Sequence, residues 1–380
     1  MQRVRLGLAI LITLGTGCAV DRPHPAVPLA RDETQTHLET VLETAIRSHG
    51  FPAAAAAVIT SQDAHLAAMG TRRVDRPDQV TVEDRFGLGS NSKAVTATML
   101  GALVERGVLR WDTSLAAVFP DLPMRPEYRA VTLRQMLTHR AGIPPWTSSE
   151  AFERALTFNS TDRAAGRLAF AAAVLSEPPV NVPGTETRYS NAGFSIAALM
   201  AEHATHKSWQ QLVTERVCTP LRIHCTFGPP ASTDPNQPWG HSRASGTLTP
   251  VDPITPGVSA MQGAGGLSLS VKDYAVFLQM HLRGLRGEDT ALLRAETVRE
   301  LHRPDGRYAL GWGIQDFAGA QSSVHAGGNG QFYALVAIQP ERNRAVAFLT
   351  NDGGDDVETQ ASAILKELLA DPTQTALTSR

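Results

Sequence analysis

Phe86-Gly87-Leu88-Gly89-Ser90-Asn91-Ser92-Lys93-Ala94-Val95-Thr96-Ala97 runs from a glycine-rich loop into an apolar helix. It holds the only Ser-x-x-Lys of a chain with four lysines, at 93, 207, 272 and 366. At that spacing a serine in the first turn has its lysine one turn on, on the same helix face. A hydroxyl beside a desolvated amine is one way to make an activated nucleophile. Alone the motif is weak, since chance supplies one in roughly a quarter of such chains. The plainer reading is an N-capping serine with a surface lysine. Residues further along decide between them.

Around this stretch the periodicity is mixed. Residues 33–49 have a helical apolar pattern (Leu38, Val41, Leu42, Ala45, Ile46) that stops at Gly50. Residues 54–60 and 65–69 read as a hairpin turning at Ser61-Gln62-Asp63. The Ser90 helix runs to a C-capping Gly107. From there to about 260 the chain reads as helical patches and Pro/Gly-rich loops, with helices at 133–139, 160–175 and 192–203 and little strand character. Residues 331–338 and 344–350 form a second hairpin, and 355–370 a closing amphipathic helix. Strands at both ends and helices between them predict one sheet built from both termini, with a helical lobe inserted. A site would lie in the cleft between the lobes.

Length and composition agree with an ordinary globular protein. The 380 residues are 42% apolar and 19% charged, with net charge −2. That size suits one large domain or two packed lobes, and the charge gives no argument for nucleic acid. The N-terminus has a basic start (Arg3, Arg5), a short apolar run over 6–14, and small residues before Cys18. This resembles a bacterial lipoprotein signal, with residues 1–17 removed, Cys18 lipidated, and 18–32 a Pro-rich tether to the membrane. Gly15 holds the position three before the cysteine, where leucine is usual, and Leu14 lies one further back. Residues 371–380 read as a tail. Cys218 and Cys225, seven apart, are either a disulfide of an oxidising compartment or two buried thiols. His224 beside Cys225 lacks the further pair a zinc site needs, and no cofactor or metal is expected.

Two further motifs accompany Ser90. Tyr189-Ser190-Asn191 is the only Tyr-x-Asn and opens a helix; His325-Ala326-Gly327 is the only His-x-Gly and reads as lying directly before a strand. The second is worthless alone, but all three in this order have a chance expectation of roughly half a per cent. With their surroundings they resemble the serine β-lactamase and penicillin-binding-protein superfamily, in its class C-like branch of β-lactamases, D-Ala-D-Ala carboxypeptidases, D-aminopeptidases and esterases. Leu137-Thr138-His139-Arg140-Ala141-Gly142-Ile143-Pro144 is similar to that family's His-Thr-Ser-Gly-Leu-Pro loop. Pro183-Gly184-Thr185 before Tyr189, Gly263-Ala264-Gly265-Gly266-Leu267-Ser268 and Tyr308-Ala309-Leu310-Gly311-Trp312 follow in family order. The likeness spans about 35–370.

The resemblance implies an α+β, β-lactamase/transpeptidase-like fold over 33–370. In it an antiparallel sheet is flanked by helices, with an all-helical subdomain at roughly 95–260. It implies a Ser90 acyl-enzyme, with Lys93 as the base and Tyr189 as the proton relay that also activates the deacylating water. Asn191 would hold Lys93 or a substrate amide, and the backbone N–H groups of Ser90 and Gly328 would form an oxyanion hole beside Gly327. His325 departs from the pattern, because class C β-lactamases carry lysine there to grip a substrate carboxylate. A histidine is a weaker, switchable donor, so efficient β-lactam hydrolysis is not expected.

The expected activity is hydrolysis of an amide or ester, of a D-amino-acid peptide or a small ester, by an enzyme of the bacterial cell envelope. A sensor that acylates without turnover and an acyltransferase are the alternatives. Lesser expectations are His139 as a loop anchor, Asp112 as a helix cap, and Trp146, Trp239 and Trp312 as either cleft-lining or ordinary core or rim residues.

Overall fold

The computed structural model describes residues 32–243, 246–254 and 257–370. The leader, Cys18, the tether up to residue 31 and the 371–380 tail lie outside the described residues. By its contacts the chain divides into Met1–Asp32 and Glu33–Arg380, and the second unit carries all the elements below.

Helix α1 (Glu33–His49) leads into β1 (Ala53–Ile59) and β2 (Ala64–Gly70), which pair antiparallel. The chain returns to this sheet only with β8 (Gly313–Phe317), β9 (Ala320–Gly328), β10 (Tyr333–Gln339) and β11 (Arg344–Thr350), giving the order β2-β1-β11-β10-β9-β8. The closure of the two ends is the β1–β11 pairing, with Ala54 opposite Thr350 and Ile59 opposite Ala345. Every β1 residue is buried, five of them alanine. Small side chains on both faces let helices approach a central strand from either side.

On one face α1 and the closing helix α13 (Val357–Leu369) cover a core of Leu38, Leu42, Phe348 and Leu365. On the other lies the larger core, crossed by α2 (Ser92–Glu105). Twelve of the fourteen α2 residues are buried, so this helix is apolar all round rather than amphipathic.

The excursion between β2 and β8 holds the helices α3 (Leu115–Val118), α4 (Leu133–Leu137), α5 (Ser149–Leu156), α6 (Arg163–Ser176), α7 (Asn191–Thr205), α8 (Trp209–Val213), α9 (Thr219–Leu221), α10 (Gln262–Gly265), α11 (Val271–Leu285) and α12 (Ala295–Leu301). It also holds short strands. A three-stranded sheet orders β3 (Arg85–Gly87), β7 (Leu267–Ser270) and β4 (Thr226–Phe227) as β3-β7-β4, and a ribbon pairs β5 (His241–Ser242) with β6 (Thr249–Pro250). Of these only β4, β5 and β6 fall inside the 95–260 stretch expected to be helical. Strands of two to four residues are too short to show a period of two, which is why the sequence hid them.

β8 and β9 were also missed. Their residues are mostly polar or small, and His325-Ala326-Gly327 lies inside β9 rather than ahead of a strand. Cys218 and Cys225 are joined as a disulfide with Cα atoms 6.1 Å apart, which ties the segment after α8 to β4.

Candidate active site

Ser90 sits in a 3₁₀ turn, Gly89–Asn91, that feeds α2. Its side chain caps no backbone N–H, so the plain N-cap reading fails. The turn is wedged against the end of β9. A Cβ on Gly327 would stand 2.2 Å from Leu88 O and 2.5 Å from the Ser90 nitrogen. Gly89 has φ +50°, and a Cβ there would meet the Gly328 nitrogen at 2.8 Å. Only glycine on both sides allows this approach. Asn91, to which the sequence reading gave no role, pins the turn from below. Its amide donates to Ala334 O of β10 (2.9 Å) and its carbonyl accepts from the Tyr274 hydroxyl (2.8 Å). The Ser92 hydroxyl takes the Leu267 N–H of β7 (3.1 Å).

Lys93 is fully buried. Its Nζ lies 3.0 Å from Ser90 Oγ, 2.8 Å from Asn191 Oδ1 and 2.8 Å from the Ala264 carbonyl at α10. No carboxylate stands among these partners, and the rings of Tyr189 and Phe194 lie 4.8 and 5.8 Å away. Burial without a counter-ion pushes the amine well below its ordinary value. A neutral amine has two N–H bonds and one lone pair. With Asn191 and Ala264 accepting the two N–H, the lone pair is left for the Ser90 hydroxyl.

The Tyr189 hydroxyl donates to Ser90 Oγ at 2.8 Å, while the residue as a whole is 38% exposed. Burial of the hydroxyl raises it to about 12, partly offset by the Ser90 bond, so the phenol is protonated at neutral pH. The Lys93 amine lies over the Tyr189 ring, 4.8 Å from its centroid, and both groups meet at Ser90 Oγ. Asn191 has both amide ends engaged, the second donating to Trp146 O (3.1 Å), so it steadies Lys93 and is not a free substrate contact.

His139 anchors its loop as expected, at φ +57°. Its Nδ1 accepts the Ser190 N–H (3.1 Å), and its ring packs between those of Tyr189 (4.4 Å) and Tyr308 (4.6 Å).

His325 differs from expectation. It is 5% exposed, with Nε2 2.7 Å from the Tyr308 hydroxyl and Nδ1 2.9 Å from Ala326 O. Burial, aided by nearby Lys93, pushes it down to about 3. It is therefore a fixed neutral ring, not a donor that switches near pH 7. Behind it a buried chain runs from Ser323 Oγ to His302 (2.7 Å), to His281 (2.9 Å) and to Thr98 of α2 (3.0 Å). Burial pushes both rings down, and because Thr98 gives its own proton to Ala94 O, the neutral rings donate in one sense, His281 to Thr98 and His302 to His281.

Trp312 is wholly buried and stacks on His302 at 4.8 Å, so it does not line the rim. Trp146 is buried too, and Trp239 is half-buried under the Arg73 guanidinium. Asp112 caps no helix; it pairs with Arg110 (2.7 Å) on the surface, and Ser114 caps α3. Among the described residues no three His, Cys, Asp or Glu side chains group as metal ligands.

The Beta-lactamase family model matches residues 36–370. Penicillin-binding protein 4 of Amycolatopsis lactamdurans is 27% identical over 321 residues, covering 80% of this chain and 82% of that protein. An unguisins hydrolase of Aspergillus campestris is 26% identical over 343 residues, 83% of this chain and 61% of its own length. Among solved structures, the octameric penicillin-binding protein homologue from Pyrococcus abyssi superposes with a TM-score of 0.73 at 24% identity, over 88% of this chain and 77% of that one. Its fold is the α+β fold described above. The chain belongs to the beta-lactamase family, within the superfamily of serine β-lactamases and penicillin-binding proteins, whose members are serine hydrolases and acyltransferases.

Proposed function

We propose that this protein is an exported serine hydrolase that cleaves an amide or ester through an acyl-enzyme on Ser90. The observation that carries this is the position of Ser90 Oγ between a buried, counter-ion-free Lys93 and a protonated Tyr189, at 3.0 and 2.8 Å. As Oγ attacks the substrate carbonyl, Lys93 takes its proton. The oxyanion that forms is met by the backbone N–H groups of Ser90 and Gly328. When the intermediate collapses, Tyr189 gives its proton to the departing nitrogen or oxygen and is reprotonated by the Lys93 ammonium. Water then attacks the ester on Ser90, its proton passes to the same pair, and the serine is released.

The substrate is a D-amino-acid peptide or a small ester, a reading supported by the penicillin-binding and hydrolase relatives. The N-terminal pattern supports export to the bacterial cell envelope with Cys18 as a lipid anchor; no helix among the described residues is long and apolar enough to cross a membrane.

Intact-protein mass spectrometry tests the reading. Exposure to a fluorophosphonate or a p-nitrophenyl ester should add one adduct on Ser90 that is absent from Ser90→Ala. With the ester the adduct should decay with time. Label at another residue would sink the nucleophile assignment, and an ester adduct that never leaves would favour a non-turnover sensor.

A further inference from the structure

β9 presents alternate side chains to opposite faces. Val324 and Ala326 join the core under α13, while Ser323, His325 and Gly327 face the Ser90 side. His325 is thus the side chain on this strand next to the glycine that abuts Ser90. A substrate anion held there would need a cation or free hydrogen-bond donors.

Neither is offered. The Tyr308 hydroxyl is spent on His325 Nε2, and the Nδ1–H is spent on Ala326 O. The N–H bonds of Lys93 are spent on Asn191 and Ala264. Arg140, on the loop packed against Tyr189, pairs with Asp305 (3.4 Å) and donates to Gly184 O. An anion here would also do harm, because it would favour the ammonium form of Lys93 and remove the lone pair that Ser90 needs.

We propose that the site takes acyl donors carrying no charge beside the scissile carbonyl, such as neutral esters and amides interior to a chain. His325, locked by Tyr308, is the residue that sets this preference. The proposal rests on the acyl-enzyme reading above.

The test compares p-nitrophenyl butyrate with p-nitrophenyl hydrogen succinate, which replaces the terminal methyl by a carboxylate, with uncatalysed rates subtracted. The wild type should favour the neutral ester in kcat/KM by about tenfold or more, as expected where a charged group is left unpaired. His325→Lys should narrow that ratio, chiefly by lowering KM for the anionic ester. A wild type that takes the anionic ester equally well or better overturns the proposal without recourse to any variant. So does a folded His325→Lys with an unchanged ratio. Fluorophosphonate labelling is read on the same samples. Label on Ser90 without the preference overturns this proposal alone, and no label on Ser90 overturns the acyl-enzyme reading together with it.

Discussion

Lowering the pH from 7 to 5 should destabilise this fold well before its carboxylates titrate, because His139, His241, His281, His302 and His325 are all pushed down by burial. His281 and His325 fall to about 3. In the unfolded chain each returns to an ordinary value near 6.5. As pH falls through that value the unfolded state takes up protons that the folded state refuses, so stability is lost progressively between pH 6.5 and about 3. Integrated from pH 7 to 5, each such histidine costs about 2 kcal/mol, and the two together about 4 kcal/mol. The other three act in the same direction. Glu202, raised by its burial, opposes them. Against a total of roughly 5–15 kcal/mol, that loss is large. Urea titrations at the two pH values, followed by the fluorescence of the fully buried Trp312 and nearly buried Trp209, would measure it. Equal unfolding free energies at pH 7 and 5 would refute the claim that these rings are held neutral, as would imidazole resonances of His281 and His325 that titrate near 6.5.

Lys93→Met should lower kcat by about 10²–10⁴ while circular dichroism stays native, and near-normal turnover would contradict Lys93 as the base. The pH profile of kcat/KM should remain flat through pH 10, since Tyr189 keeps its proton until about 12, with an acid limb set by Lys93 below the usual lysine range; a fall between pH 8 and 10 would show that the phenol ionises early. Gly327→Ala should push β9 off the Ser90 turn, at a cost of about 1–3 kcal/mol in stability and most of the activity. An unaltered rate in that variant would mean that the close approach to Leu88 O is not needed.

Much of the frame was legible in the residues. Helix α1, the β1–β2 hairpin and the β10–β11 hairpin have long apolar runs with clear turn residues, and their spans agree with the structure to within two residues. The short strands β3, β4 and β7 and the polar β8–β9 pair carried no periodicity to read. Ser90, Lys93, Tyr189 and Asn191 could be named because each lies in a short motif. Asn91, Tyr274 and the Ala264 carbonyl could not, since a backbone oxygen and two ordinary core partners leave no sequence signature.

The sequence by itself determined which residues carry reactive groups, their order along the chain, and that a histidine stands where a class C enzyme has lysine. Only the tertiary structure decided their protonation. Lys93 is driven toward its neutral form because folding removes it from water without supplying a carboxylate, and His325 loses its capacity to switch because folding buries it and the Tyr308 hydroxyl occupies Nε2. A pKa is set by desolvation and by neighbours distant in sequence, as Asn191 is from Lys93. Spacing along the chain therefore locates the Ser90 site, and packing determines its chemistry.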